Sequence, residues 1–212
     1  MCRPMALATQ AKIKTQTRRL HKLDEINLEP HTWTLLCQGK LQSDDSYAVQ
    51  FVRHGAYRLI KSPLGIPGDR IWVREEYYQQ GSWHPVPGVL TGGGRQKYAF
   101  KGVAGTITFD QPDTYAKARP KVGAEEIQWY KRLGRFMPKS AARIHLEITG
   151  VRVERLHHIG EQDAKAEGCE PEITAYCDWK HRVAYKTLWE TLNGVGSWQK
   201  NPFVWVYEYQ LI

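Results

Sequence analysis

Cationic and hydroxyl side chains crowd into one short stretch near the N-terminus. Residues 12–20 read KIKTQTRRL, so four cations and two threonines fall within nine positions. Such a stretch is typical of a basic tail for nucleic acid, of a targeting peptide, or of the floor of a site. A plainer interpretation is a helix end, in which Lys14 and Thr17 are polar surface residues and Arg18 and Arg19 contact the last carbonyls.

Two other charged residues are candidates for binding. Glu75, in WVREE, is expected at a strand end, where it either orients Arg18 or Arg19 through a bidentate pair or forms an ordinary surface ion pair. Arg143 begins a long alternating segment and is a candidate phosphate ligand.

Several cysteine and histidine residues are candidate metal ligands. Cys177 and His181 are four residues apart on a predicted helix, and the further candidates are Cys169, His157 and His158. None of them repeats the paired spacing of recognisable zinc sites, so no metal or other cofactor is predicted. The glycine-rich TGGGRQK at 91–97 lacks the spacing of a phosphate-binding loop and is predicted to be a flexible tip.

The composition is that of a globular chain with a basic surface. Of the 212 residues, 42% are hydrophobic and 25% charged, and no apolar run is long enough for a membrane helix. Four scattered cysteines and no recognisable signal peptide favour the reducing cytoplasm. A net charge of +8, with eight Trp and eleven Tyr, favours a polyanionic partner whose bases stack on aromatic rings.

The positions of these residues depend on short predicted elements. The sequence predicts a helix over 4–13, one strand at AVQFVRHG within an otherwise irregular 20–60, and a Gly/Pro-rich insertion at about 80–135. ARIHLEITGVRVERL and FVWVYEYQLI alternate as strands, GEQDAKAEG forms a short helix ended by a left-handed Gly168, and AYCDWKHRVAYKTLWETLNG forms a long helix. This order implies an α+β fold with a small, nearly closed barrel, and residues 1–212 are expected to form one domain.

Five blocks of the sequence, in order, resemble one family. They are KTQTRR (14–19), PGDRIWVREE (67–76), MPKSAARIHLEITGVRVERL (137–156), GEQDAKAEG (160–168) and LWETLNG…SWQKNPFVWVYEY (188–209). The chain resembles an ASCH-domain protein of the PUA-like superfamily, in particular the long form encoded in phages and prophages. The resemblance implies a mixed β-barrel flanked by helices, with a cleft beside the first helix, in the bacterial host cell. Lys12 stands where that family has glycine, so either it adopts an uncommon positive φ or the turn is built differently.

The resemblance also implies roles for individual residues. Some ASCH proteins are amidohydrolases that remove the acyl group of N4-acetylcytidine with a Lys, a Thr and a distant Glu, which map to Lys14, Thr17 and Glu167. A threonine hydroxyl needs an adjacent base, and lysine is a base only where burial or nearby cations lower its pKa from about 10.4. Glu167 would then protonate the departing amine, and Arg19 or backbone N–H groups would stabilise an oxyanion.

Two alternatives to this hydrolase stay open. Other ASCH proteins are described as ribonucleases, and PUA-like folds also bind nucleotides or single strands without turnover. The extra length of this chain, basic at RQK and KRLGR, suits a polymer better than a free nucleoside. The expected partner is therefore a modified nucleoside, RNA or single-stranded DNA, with no membrane partner, and the residues expected to bind it are Arg18, Arg19, Glu75 and Arg143.

Overall fold

The chain divides into two compact units. The computed structural model describes residues 3–121, 123–170 and 180–212. Val73–Arg143 form the smaller unit, and Pro4–Trp72 together with Ile144–Ile212 form the larger one. The smaller unit is thus inserted in sequence between two strands of the larger unit, with wider bounds than the 80–135 expected from composition.

The described residues form four α-helices and ten strands. The helices are α1 (Arg3–Gln10), α2 (Asp24–Leu28), α3 (Glu161–Ala166) and α4 (Lys180–Asn193). The strands of the larger unit are β1 (Gln16–Arg19), β2 (Thr34–Lys40), β3 (Tyr47–Arg53), β4 (Ala56–Lys61), β5 (Arg70–Trp72), β9 (His145–Arg155) and β10 (Phe203–Leu211). Those of the smaller unit are β6 (Tyr77–Leu90), β7 (Gln96–Gly102) and β8 (Gln128–Arg132).

Two antiparallel sheets of the larger unit share one apolar core. One sheet has the order β1-β10-β9-β5 and the other the order β2-β3-β4. β10 is apolar on both faces, as expected of a strand covered on both sides. Trp205 and Tyr207 on one face join a buried cluster with Val49 and Phe51 of β3, while Val204 and Val206 on the other face join a cluster with α3 and α4 residues.

The smaller unit contains a three-stranded antiparallel sheet with the order β7-β6-β8. Trp83, Phe100 and Tyr130 contact one another edge to face, at centroid distances of 5.3–6.2 Å. Gly81 lies beneath this cluster, and a Cβ there would come within 2.5 Å of the Phe100 ring and the Lys101 carbonyl oxygen. The glycine therefore allows the close approach of β6 and β7.

The α+β prediction is confirmed, and several elements follow their sequence patterns. Gly168 follows α3 with φ +80°, as expected. The register between β9 and β10 shifts next to Gly150, which pairs with Glu208. Residues 20–60 were wrongly expected to be mostly irregular, because they contain α2 and the sheet of β2, β3 and β4. β2 and β4 are largely exposed strands, so they lack the apolar alternation by which strands are recognised.

The Gly/Pro-rich start of the insertion forms part of a strand. β6 runs through Pro85 and Pro87, and its pairing with β7 shifts register between Pro85 and Leu90. Proline lacks a backbone N–H, and an irregular part of a ladder is where strands tolerate it.

Candidate functional site

The segment that joins α1 to β1 folds back tightly on the helix. Lys12 N donates to Thr9 O, while Ile13 N and Lys14 N both donate to Ala8 O. Lys12 adopts φ +59°, which is the left-handed conformation that glycine adopts most easily, so the positive φ expected as one of two possibilities is present. The interpretation of residues 14–19 as a helix end is therefore wrong, since Gln16–Arg19 form a strand after this turn.

Lys14 is buried and bound to the end of α3. Its Nζ donates to Glu167 Oε2 at 2.7 Å, to Glu167 O at 2.7 Å and to Gln16 O at 2.9 Å. Three acceptors match the three N–H donors of an ammonium group. Gly168 permits this approach, because a Cβ at that position would lie 3.0 Å from Lys14 Cβ. Lys14 and Glu167, which are 153 residues apart in the sequence, thus form one ion pair.

Arg18, the third residue of β1, contacts the same glutamate. Its Nη1 donates to Gln16 Oε1 at 2.7 Å and to Glu167 Oε1 at 3.3 Å, and its Nη2 pairs with Glu154 at 2.7 Å and Asp163 at 3.1 Å. The guanidinium is fully buried. Burial lowers the pKa of Arg18, but the charge of Glu167 and the hydrogen bond with Glu154 outweigh that effect and raise it overall. Arg18 is therefore a structural cation, held by carboxylates.

The ion pairs continue outward to form what we term the charge network. Arg152 contacts Glu154 at 3.0 Å and Asp163 at 3.6 Å, and it also pairs with Glu208. Three cations thus face four carboxylates: Lys14, Arg18 and Arg152 against Glu154, Asp163, Glu167 and Glu208. Because the carboxylates already neutralise these cations, the network itself offers little positive charge to a phosphate.

Thr17 and Arg19 lie on the other side of β1. Thr17 pairs opposite Tyr207, whose side chain belongs to the core between the two sheets, while Arg18 pairs opposite Val206. Adjacent strand residues point to opposite faces, so Thr17 points away from Arg18. The structure therefore brings together Lys14, Arg18 and Glu167. Among the hydrogen bonds of the described residues, none joins Thr17 to Lys14.

Apolar residues surround Glu167 on the helix side of the sheet. Arg18 lies 5.8 Å from the ring centroid of Tyr185, which is buried among α4 residues. Burial, and next the charge of Glu167, raise the pKa of Tyr185 well above its usual value. Burial likewise raises the pKa of the Cys169 thiol to about 11, so this cysteine is a poor nucleophile at neutral pH.

A small cavity lies next to Lys14. It has a volume of about 260 Å³ and is lined by Thr9, Lys12, Lys14, Thr15, Leu146, Tyr209, Gln210 and Leu211. Burial strongly raises the pKa of Tyr209, whose hydroxyl donates to Gln16 O at 3.4 Å. The volume falls just below the range of about 300–1,000 Å³ typical of drug-sized ligands, so the cavity suits a base or nucleoside. A larger groove of about 510 Å³ between α1 and α4 is mostly apolar, and Glu170 is the charged residue in its lining.

Glu75 and Arg143 pair with each other within the smaller unit. Arg143 Nε and Nη2 donate to the two Glu75 oxygens at 3.1 and 2.8 Å, and the guanidinium lies 4.1 Å from the Phe109 ring centroid. The bidentate geometry predicted for Glu75 is present, but the expected partner was wrong. The partner of Glu75 is Arg143 and not Arg18 or Arg19.

Sequence reasoning missed the other members of the charge network. Asp163 lies four residues before Glu167, one turn earlier on α3, and Arg152 and Glu154 alternate on one face of β9. Those spacings were available as signals, because residues four apart on a helix and two apart on a strand share a face. Tyr209 lies in the predicted strand FVWVYEYQLI, whose alternation gives no link to the cavity.

The histidines near α4 make structural hydrogen bonds. His157 Nε2 contacts Trp198 O and His181 Nδ1 contacts Cys169 O, each at 2.8 Å. No three His, Cys, Asp or Glu residues are grouped to hold a metal ion within residues 3–121, 123–170 and 180–212. Cys177 lies outside the described residues.

Comparisons add no relative to these observations. A comparison of the chain with family models, with curated proteins and with solved structures finds no match. In the part of the chain that the structure describes, no helix has both the length and the apolar character needed to cross a bilayer.

Proposed function

We propose that the chain is a PUA-like protein of ASCH type whose cavity beside Lys14 binds an N4-acylated pyrimidine nucleoside and hydrolyses its amide. The fold is compatible with that family, because two sheets enclose one core as a partial barrel and α3 and α4 cover the outer face. The observation that carries the proposal is the buried Lys14–Glu167 pair, 2.7 Å apart, whose lysine lines a cavity of about 260 Å³.

The first proposed step is a proton transfer within this pair. Lys14 gives a proton to the Glu167 oxygen that it contacts, which produces a neutral amine and a neutral acid. Both groups then have the protonation states that general base and general acid catalysis require.

The amine of Lys14 would next accept the Thr17 hydroxyl proton as Thr17 Oγ bonds to the acyl carbon. When the bond between the acyl carbon and N4 breaks, Glu167 gives its proton to N4. Cytidine then leaves, and the acyl group remains on Thr17 as an ester. Water then hydrolyses the ester to release the carboxylic acid and restore the hydroxyl. Because Thr17 lies on the face of β1 opposite Arg18, the step requires a rearrangement of β1 upon substrate binding that brings Thr17 Oγ to Lys14 Nζ.

Variants of Thr17 test this mechanism most directly. We expect wild type to convert N4-acetylcytidine to cytidine, Thr17→Ser to retain part of the rate, and Thr17→Ala to lose at least about 100-fold in kcat. Thr34→Ala, an exposed threonine of β2, is the matched control. Unchanged turnover in folded Thr17→Ala would exclude the acyl-threonine step.

A second candidate is a nucleic-acid-binding module without turnover, for RNA or single-stranded DNA. The observation that favours it over the hydrolase is the complete set of acceptors around the Lys14 ammonium, which holds this lysine as a structural cation and not as a base. If the chain only binds nucleic acid, Lys14→Arg should keep much of the affinity, because the cation is retained. If Lys14 is a catalytic base, the same variant should lose turnover, because arginine retains its proton.

A further inference from the structure

Positive charge is concentrated in the smaller unit. Val73–Arg143 contain twelve Lys and Arg and six Asp and Glu, so they carry six of the eight net charges of the chain. Because net charge promotes association with polyanions, this unit is the stronger candidate for contact with a nucleic acid backbone.

One face of the β7-β6-β8 sheet combines aromatic rings with arginines. Trp83 pairs with Phe100, and Tyr77 with Arg132, so alternate positions place all four on the same face. Arg132 lies 3.9 Å from the Phe100 centroid and 5.0 Å from that of Phe136. We term the surface formed by Tyr98, Phe100, Phe136, Arg119, Arg132 and Arg135 the arginine–aromatic face.

The edges of this face are open. Phe136 is 52% exposed, and Arg135 and Arg119 are exposed. Arg119 lies 4.0 Å from the Tyr98 centroid, and Arg135 lies 5.0 Å from that of Phe136. A guanidinium held over a ring keeps N–H groups available to a phosphate, and such a pair can also stack on a base.

These three arginines differ from those of the charge network in their partners. Among the described residues, no carboxylate pairs with Arg119, Arg132 or Arg135, whereas Arg143 in the same unit is held by Glu75. Ring contact in place of ion pairing leaves their charge available to an incoming anion.

We infer that the arginine–aromatic face binds single-stranded nucleic acid, with bases stacked on the Arg119–Tyr98 and Arg135–Phe136 pairs and phosphates contacted by the two arginines. Unpaired bases expose the flat surfaces that this arrangement needs, and a duplex does not. This inference is independent of the proposed hydrolase, because it involves other residues in another unit.

Binding is tested by fluorescence anisotropy of the full chain with labelled twelve-nucleotide oligo(U) and oligo(dT) at several salt concentrations. Phe136→Leu should weaken binding roughly tenfold, the effect of one lost stacking contact, without changing the salt slope. Arg135→Ala should weaken binding and lower the slope of log K against log salt by roughly 0.7, as one lost phosphate contact predicts. A difference between the two oligonucleotides would identify which strand chemistry is preferred.

Two control variants match these changes. Arg95→Ala removes the same charge from an exposed position in the smaller unit, and Tyr57→Leu removes an exposed ring from β4; each should change affinity less than twofold. The inference is overturned if neither oligonucleotide binds, if Phe136→Leu binds like wild type, or if Arg95→Ala loses as much affinity as Arg135→Ala. The binding results do not depend on whether the chain turns over N4-acetylcytidine, and turnover does not depend on whether the oligonucleotides bind.

Discussion

Replacement of Lys14 by methionine should destabilise the protein severely. Methionine keeps most of the unbranched stem but removes the ammonium and its three hydrogen bonds. Glu167, which is 3% exposed, would then remain as a buried carboxylate without its nearest cation. Removal of one partner lowers the free energy of unfolding by more than the intact pair contributes, because the remaining buried charge is not solvated.

The magnitude follows from the remaining contacts. Breaking a buried ion pair by removing one partner costs about 3–5 kcal/mol. Arg18 still contacts Glu167 Oε1 at 3.3 Å in the variant and compensates part of the charge, so we expect a loss of about 3 kcal/mol. For a chain of this length, that corresponds to a melting temperature lower by roughly 6–12 °C.

Urea unfolding followed by far-ultraviolet circular dichroism measures this loss. Lys22→Met, at an exposed lysine, is the control and should change stability by less than about 0.5 kcal/mol. The double variant Lys14→Met/Glu167→Leu should recover part of the loss, since two apolar side chains leave no unpaired charge. A loss below about 1 kcal/mol in Lys14→Met, or a double variant less stable than the single one, would contradict this reasoning.

Three further predictions concern the same region. Gly168→Ala should cost about 1–3 kcal/mol, because φ is +80° and the new Cβ would crowd Lys14, whereas Gly160→Ala, with open space and φ −92°, should cost far less; urea unfolding compares them. Lys12→Gly should stabilise by about 0.5–1 kcal/mol in the same assay, because it relieves a positive φ, whereas Lys165→Gly in α3 should destabilise. Tyr185 has a raised pKa in the folded state, so its contribution to stability is complete below about pH 10 and is lost at higher pH as the unfolded phenol ionises. Melting temperatures between pH 9 and 11 should therefore fall less steeply in Tyr185→Phe than in wild type, and Tyr57→Phe should follow wild type.

The sequence contained the information for local backbone features. Gly168 is expected in a left-handed conformation because a glycine follows a short helical pattern, and the resemblance of residues 14–19 raises the question of a positive φ at Lys12. β10 was readable from its alternation because its apolar residues reach two cores. Such features depend on a few neighbouring residues.

The charge network could not be derived in the same way. Arg18 meets Glu154 and Asp163 across 136 and 145 residues, and only the pairing of β1 with β10 and of β10 with β9 brings them together. Spacing along the chain shows which side chains share a face, but it leaves open which faces pack together. Glu75 shows the same limit, since its bidentate geometry was foreseen but its partner was not.

Release of cytidine from N4-acetylcytidine, measured by chromatography for wild type and Lys14→Arg, tests the proposed function most directly. Our account predicts turnover by wild type and none by a folded Lys14→Arg variant, because arginine cannot give up its proton to Glu167. The absence of turnover by folded wild type, or equal turnover by the two proteins, would contradict it.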